Sequence, residues 1–336
     1  MKVIFSHSLP FSLAHGGIQT VIESLMRELA LLGVEVEPER WWDSSQSCDL
    51  MHFFQRPPLG NVQLAKQKGR KTVMTEVFDV VASESKYRLF MRMYATRAAR
   101  ALMPRFDNSL SFYRDLDAMM YCAPHEWDVV RQIYRLPPEK GHFVPHGLEP
   151  HAIEALKRAQ PEGDYLVCVG TICPRKNSVL LATCAKKANV PVVFVGKPFS
   201  DDDPYFRQFR ELIDNQFVQY VGYASEEKKC EILRGARGFV LLSEGESGCI
   251  SIYEAAAAGL PLLLSDLPWA AKGYPASDRL HLVSLHTVSE IERRLKSFYD
   301  TAHRGQTMTF PVGTWADVAK TYLGIYEAVM SRGSQR

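Results

Sequence analysis

The sequence predicts an α/β protein built from two doubly wound parallel sheets. Three observations lead there. The chain has 336 residues, more than one ordinary core holds. From Lys2 onward, short apolar runs alternate with amphipathic stretches, the pattern of a parallel sheet covered on both faces. After Pro145-His146-Gly147 and a polar stretch around Arg158 to Asp164 the same alternation starts again.

In the first half, Lys2 to Ser6 is a strand, followed by the loop HSLPFSLAHGG. Ile18, Val21, Ile22, Leu25, Leu29 and Leu32 then recur at helical spacing, and Gly33 marks the stop. VEVEPERW resumes as a strand, and Asp49 to Phe54, Lys71 to Glu76 and Ala118 to Cys122 are further short apolar runs. In the second half the strands are YLVCVG (165–170), VPVVFVG (190–196), FVQYVGY (217–223), GFVLLS and LPLLLSD (260–266). Helices are expected at SVLLATCAKKA, SEEKKCEILRGA and the alanine-rich segment from Ile250. ERRLKSF is a solvated helix face.

Composition excludes several classes. Hydrophobic residues at 46% and charged residues at 23% are ordinary for a globular protein. Forty basic against 38 acidic residues carry no nucleic-acid signature. Seven cysteines are scattered with no CxxC, which argues against a disulfide framework or a zinc site and fits a reducing cytoplasm. A strand pattern from Lys2 leads to the expectation of no signal peptide, and no apolar run reaches spanning length.

Two such domains facing each other would define a cleft, with ligands at the carboxyl ends of the strands. The segment EGESGCISIYEAAAAG, Glu244 to Gly259, follows one strand directly. Gly248 tolerates a turn, and the alanine run is a strong helix former beginning near Cys249 or Ile250. A helix start there offers free N–H groups and a positive dipole end to an anion. Glu246 in the loop and Glu254 one turn into the helix suit hydroxyls on either side of a phosphate. Spacing alone leaves a surface helix with two solvated glutamates as an equal alternative.

The chain resembles the retaining glycosyltransferases of the GT-B fold, family four. That family carries a Glu, seven residues, Glu motif with an E-A-x-A-x-G-x-P tail, here ESGCISIYEAAAAGLPL with Glu246, Glu254, Gly259 and Pro261 in place. Its V-G-R-x-x-x-x-K-G segment appears as VGTICPRKN. The glycine pair before the first helix, V-P-N-G as VPHG, and a closing Trp-led helix as TWADVAKTYLGIYEAV complete a resemblance over nearly the whole chain.

The resemblance implies two Rossmann-like domains. Residues 1–147 form the acceptor side, 148–311 bind the nucleotide sugar, and a helix at 312–332 crosses back to the first domain. It implies transfer of a sugar from a UDP- or GDP-linked donor to an acceptor hydroxyl on a glycan or lipid-linked carrier, with retention, as in bacterial-type polysaccharide, lipopolysaccharide or glycolipid synthesis. Glu246 would bind the transferred sugar, Glu254 the ribose and Lys176 the diphosphate, with Thr171 beginning the same loop. The backbone of Ser247, Gly248, Cys249 and Ile250 would hold the phosphate. Gly16 and Gly17 would let the first domain approach it, and Tyr223 would flank the base. Preorganised donors would then stabilise the leaving diphosphate without metal or cofactor.

Departures from the family pattern are visible. Thr171 stands where the family has an arginine. Arg175 either supplies the lost charge or points to solvent. Asp79 is kept in TEVFDV, but Phe78 stands where a histidine is usual, with Glu76 as a substitute. His146 replaces the asparagine of V-P-N-G and is read as a hinge residue, and His7 and His15 as ordinary loop histidines. Asp201-Asp202-Asp203 is read as a solvated turn rather than a magnesium site. Arg88, Arg92, Arg97 and Arg100 interleave with Leu89, Phe90, Met91, Met93 and Tyr94. The stretch 86–105 would therefore either rest on an anionic membrane face or form a surface helix with one buried stripe. Trp41, Trp42 and Trp127 are read as core or acceptor-cleft aromatics. A nucleotide-sugar epimerase on the same fold and a catalytically silent partner subunit are the competing functions.

Overall fold

A computed structural model describes residues 1–8, 10, 11, 16–58, 60–76 and 113–332, with Arg88, Met91, Tyr94, Ala95 and Ala98 between the last two stretches. Asp79, Phe78, His15 and most of 86–105 lie outside the described residues. The chain divides into two compact units, Met1–His146 with Trp315–Arg336, and Gly147–Thr314.

The first unit is built on a parallel six-stranded sheet. Its strands are β1 (Lys2–His7), β2 (Glu35–Pro38), β3 (Leu50–Phe54), β4 (Lys71–Glu76), β5 (Ala118–Tyr121) and β6 (Gly141–Phe143), in spatial order β2-β1-β3-β4-β5-β6. Burial follows that order. Every residue of the interior strand β3 is buried, whereas the edge strand β2 shows none. Helix α1 (Gly17–Leu31) buries Val21, Ile22, Leu25 and Leu29, the stripe that the sequence periodicity marks. Helices α2 (Asn61–Gln67) and α3 (Pro124–Tyr134) also belong to this unit. Trp127 on α3 is buried and stacks on Tyr121 with ring centroids 5.7 Å apart, so it is a core aromatic. Trp41 and Trp42 are instead 78% and 79% exposed.

The second unit repeats the plan. Helix α4 (Pro150–Lys157) leads into β7 (Leu166–Val169), α5 (Ser178–Ala188), β8 (Val192–Val195), α6 (Pro204–Glu211) and β9 (Val218–Gly222). Then come α7 (Glu226–Gly235), β10 (Gly238–Leu241), α8 (Ile250–Ala257), β11 (Leu262–Ser265), α9 (Pro268–Ala271), β12 (Leu280–Val283) and α10 (Val288–Thr301). The strands are parallel in the order β12-β11-β10-β7-β8-β9. All residues of β7, β8, β10 and β11 are buried, as strands covered on both faces require. The chain order reverses direction between β7 and β10, and in open α/β sheets the carboxyl ends of strands at such a reversal are where ligands bind.

The last helix, α11 (Trp315–Ser331), belongs to the first unit and packs against α1. It is pinned through a buried polar chain. The imidazole of His52 on β3 lies 2.7 Å from the Tyr326 hydroxyl through Nδ1 and 2.8 Å from Thr75 Oγ1 through Nε2, and Thr75 Oγ1 lies 3.0 Å from the Tyr322 hydroxyl. Buried polar atoms need such partners, and here the two tyrosine links tie α11 to the sheet while the His52–Thr75 link joins β3 to β4. Cys122 Sγ and Nδ1 of His146 stand 3.7 Å apart, and the His146 ring packs at 5.9 Å from Trp315. His146 thus sits in the hydrogen-bonded interior of the first unit.

Burial holds the His52 pKa well below that of an ordinary imidazole. The unfolded chain binds a proton near pH 6.5 that the folded chain refuses, so stability falls as pH drops through that value. The expected slope from this one group is about 1.4 kcal/mol per pH unit below about pH 6. Urea unfolding at pH 7.5 and 5.5 should show the loss, and His52→Phe should be less stable at pH 7.5 but have a shallower slope. An unchanged slope in the variant would contradict this role for His52.

Candidate functional site

Two loops stand at the reversal point. After β7 the chain runs through Gly170, Thr171 and a short 3-10 turn at Pro174–Lys176 to Asn177, whose left-handed backbone launches α5. After β10 it runs through Ser243 to Cys249, the N-cap of α8. The loops are pinned to each other. Asn177 Nδ2 donates to the Leu242 carbonyl at 2.8 Å, the Glu244 N–H to the Arg175 carbonyl at 2.9 Å, and Arg175 Nη1 to the Gly245 carbonyl at 2.7 Å.

Three charges meet on this frame. Lys176 Nζ lies 2.6 Å from Glu246 Oε1, and Arg175 Nη1 lies 3.1 Å from Glu246 Oε2. The Arg175 guanidinium is therefore turned onto the carboxylate rather than into solvent. Ser243 Oγ donates to Glu246 Oε1 at 2.5 Å. Ser243 is itself held, its carbonyl accepting from Ser265 Oγ at 2.8 Å and from Trp269 Nε1 at 3.1 Å. Lys176 Nζ also donates to Cys249 Sγ at 3.4 Å, and Cys249 Sγ lies 3.2 Å from Ser251 Oγ.

Burial would push the Glu246 carboxyl up, but Lys176 and Arg175 outweigh it, and the pKa lies below the ordinary value. Burial would pull the Lys176 ammonium down, yet the opposing charges raise it. The Cys249 thiol is pushed up by burial and stays protonated at neutral pH, so Glu246 is the partner that keeps Lys176 charged. The cluster carries two positive charges and one negative, a net positive site beside the start of α8.

Helix α8 is buried on every side from Ser251 to Ala257. Its alanines let it sit close to β10, β11 and α4. Gly259 ends it at φ +75°, and a Cβ there would collide with the carbonyls of Gly305 and Thr307. The E-A-A-A-A-G-L-P tail is thus a packing requirement. At the other end, the Cys249 N–H is donated to the Tyr274 hydroxyl at 3.1 Å. One of the backbone donors expected to face a phosphate is therefore engaged by a phenol that must itself find a partner in the interior.

Glu254 lies within α8 and is buried, with Oε1 2.6 Å from Lys229 Nζ on α7. Ser243, Lys229 and Tyr274 were not visible as site residues in the sequence. Lys229 is hidden in the charged run SEEKKCEIL, where nothing separates it from its neighbours. β9 ends on Gly222, and Gly170 and Gly196 follow β7 and β8 directly. At Gly196, φ is +139° and a Cβ would strike the Gly170 carbonyl. Tyr223 follows Gly222, is 78% exposed, and has Lys197 Nζ 5.8 Å from its ring centroid. Thr171 is half-buried. Asp203 caps α6 by accepting the Tyr205 N–H at 2.9 Å, while Asp201 and Asp202 are exposed.

The structure therefore brings Arg175, Lys176, Glu246 and Cys249 together in the second unit, with Glu254 farther along α8. Gly16 and Gly17 belong to the first unit, at the start of α1, with open space where a Gly16 Cβ would stand.

Residues 152–274, which span both loops and all of α8, match the family described as Glycosyl transferases group 1. No curated protein sequence matches the chain. The solved structure of AviGT4, a glycosyltransferase involved in avilamycin A biosynthesis, superposes with a TM-score of 0.61 at 16% identity, covering 98% of both chains. Anabaena HepE in complex with UDP and glucose gives 0.61 at 14% identity over 100% of both chains. A glycosyltransferase from Rickettsia africae ESF-5 gives 0.68 at 11% identity over 98% of both. The fold is that of the GT-B glycosyltransferases, and the matched segment supports the glycosyl transferases group 1 family.

Removing one partner of the buried pair leaves a charge without compensation. Lys176→Met should lower unfolding free energy by about 3 kcal/mol, with Arg175 as the remaining cation. The double variant Lys176→Met, Glu246→Gln should recover part of the loss. Denaturant melts in which Lys176→Met equals the unaltered protein would contradict the pairing.

Proposed function

We propose that the protein is a retaining glycosyltransferase that moves a sugar from a UDP- or GDP-linked donor to the hydroxyl of a glycan or lipid-linked acceptor. The observation that carries this reading is the net positive cluster of Arg175, Lys176 and Glu246 at the reversal point of the second sheet. A nucleoside diphosphate is the anion that such a site suits, and the leaving diphosphate gains charge as the glycosidic bond breaks. Lys176 and Arg175 neutralise that charge without a metal. Because Glu246 already holds both cations, an arriving diphosphate competes with it for them. Glu246 keeps negative charge beside the positive character that develops at the anomeric carbon. Glu254 accepts from the ribose, the α8 start faces the phosphates, and Tyr223 flanks the base. Gly16, Gly17 and Asp79 act from the acceptor-side unit. Support comes from the match to Glycosyl transferases group 1 over residues 152–274 and from the structural neighbour that binds UDP and glucose.

The acceptor belongs to cytoplasmic synthesis of a polysaccharide, lipopolysaccharide or glycolipid, with the basic stretch 86–105 resting on the inner membrane face. No helix among the described residues is long and apolar enough to cross a membrane. Met91 and Tyr94 are exposed, as a surface-seeking stretch requires.

A panel of nucleotide sugars, read by release of nucleoside diphosphate in the presence of EDTA, tests the activity. It also separates transfer from epimerisation and from a silent subunit. Glu246→Gln should lower kcat about 100-fold while free nucleoside diphosphate binds as well or more tightly, because both cations are released to it. Glu254→Gln should weaken the free nucleotide about tenfold through the lost charge-assisted hydrogen bond. Normal turnover in Glu246→Gln, or equal loss of nucleotide affinity in both variants, would overturn the division of roles.

A further inference from the structure

We propose that Lys229 is a positioning residue for the nucleotide end of this site, holding the buried Glu254 carboxylate ionised and aimed so that it accepts the ribose hydroxyls. The inference rests on the reading of Glu254 given above. A carboxylate on an almost fully buried helix protonates unless a cation stands beside it. Lys229 is that cation. Its Nζ reaches Glu254 Oε1 at 2.6 Å, and its own side chain is four-fifths buried. It comes from α7, the helix that follows the Gly222-Tyr223 turn, and Ser225 fixes that helix start by accepting the Lys228 N–H at 3.3 Å. Glu254 is therefore tied to the helix that follows that turn.

Lys229 is also shared. Its Nζ lies 2.9 Å from Oε2 of Glu226, one turn earlier on α7 and far more exposed than Glu254. Among the described residues, the charges acting on Glu254 are those of Lys229 and Glu226, and they act in opposite directions. Burial pushes the Glu254 carboxyl up, Lys229 pulls it part of the way back, and Glu226 pushes it up again. The neighbouring Cys230 thiol is raised to about 11 and remains neutral. This gives a series with predicted signs. Losing Lys229 should make Glu254 protonate at higher pH. Losing the Glu226 charge should make it protonate at lower pH. A plain structural staple between α7 and α8 would change stability in both variants and leave the pH midpoint of nucleotide binding where it was.

The experiment is calorimetric titration of the full chain with uridine diphosphate and guanosine diphosphate between pH 5 and 8, with melting temperatures recorded alongside. Affinity should fall toward acid as Glu254 protonates. In Lys229→Met the midpoint of that fall should move up by about one unit or more, with affinity largely regained at pH 8. Lys229→Arg should keep the original midpoint, and Glu226→Gln should move it down. The ionisation of the diphosphate itself is common to all variants, and Glu254→Gln isolates it. A Lys229→Met protein that keeps the original midpoint, or that loses affinity equally at every pH, overturns the role of Lys229. If Glu254→Gln leaves affinity and its pH profile unaltered, or neither diphosphate binds the unaltered protein, the donor-site reading falls instead.

Discussion

One carboxylate holding two cations at a reversal of strand order is the constraint on which the site rests. The loops that leave adjacent strands at this reversal carry polar groups into a largely buried place, and buried polar groups must be paired. Glu246 meets that demand for Lys176 and Arg175 together, while Ser243, Asn177 and the backbone of the second loop fix the geometry. The pairing costs desolvation and is weak evidence of stability in its own right. Its value is two cations held in fixed positions around one carboxylate, a net positive charge in a largely buried place.

The two glutamates of the motif occupy different electrostatic settings although they stand in one loop-helix unit. Glu246 faces two cations and is held below the ordinary carboxylate range. Glu254 faces one cation shared with Glu226 and is held above it. Two carboxylates pushed apart by their surroundings commonly have separate tasks. Here the first is tied to Arg175 and Lys176 and the second to α7, the helix that follows Gly222-Tyr223.

Much of this was legible in the sequence, for physical reasons. Interior strands such as LVCV, VVFV and LLLS are buried on both faces and so read as unbroken apolar runs. The edge strands β6 (GHF) and β12 (LHLV) were not picked out, because short, half-exposed strands leave no such run. Arg175, Lys176, Glu246 and Glu254 stood out through spacing and through the family resemblance. Whether Arg175 met a partner or solvent was open until the fold placed its guanidinium on Glu246. Lys229 and Tyr274 reach the site from helices and loops whose sequence carries no mark of it, so only the tertiary packing reveals them. The same packing exposes Trp41 and Trp42, which excludes the core from the two readings, core or acceptor cleft, that the sequence leaves open.

The central claim is that the cations beside Glu246 bind the diphosphate, and the direct test compares a nucleoside with its diphosphate. Calorimetry should show uridine or guanosine binding at least about 100-fold more weakly than the corresponding diphosphate, as expected when two charge-assisted contacts are missing. In Lys176→Ala that gap should narrow by about tenfold or more, with nucleoside affinity unaltered. A nucleoside that binds as tightly as its diphosphate, or a gap that survives intact in Lys176→Ala, would contradict the account.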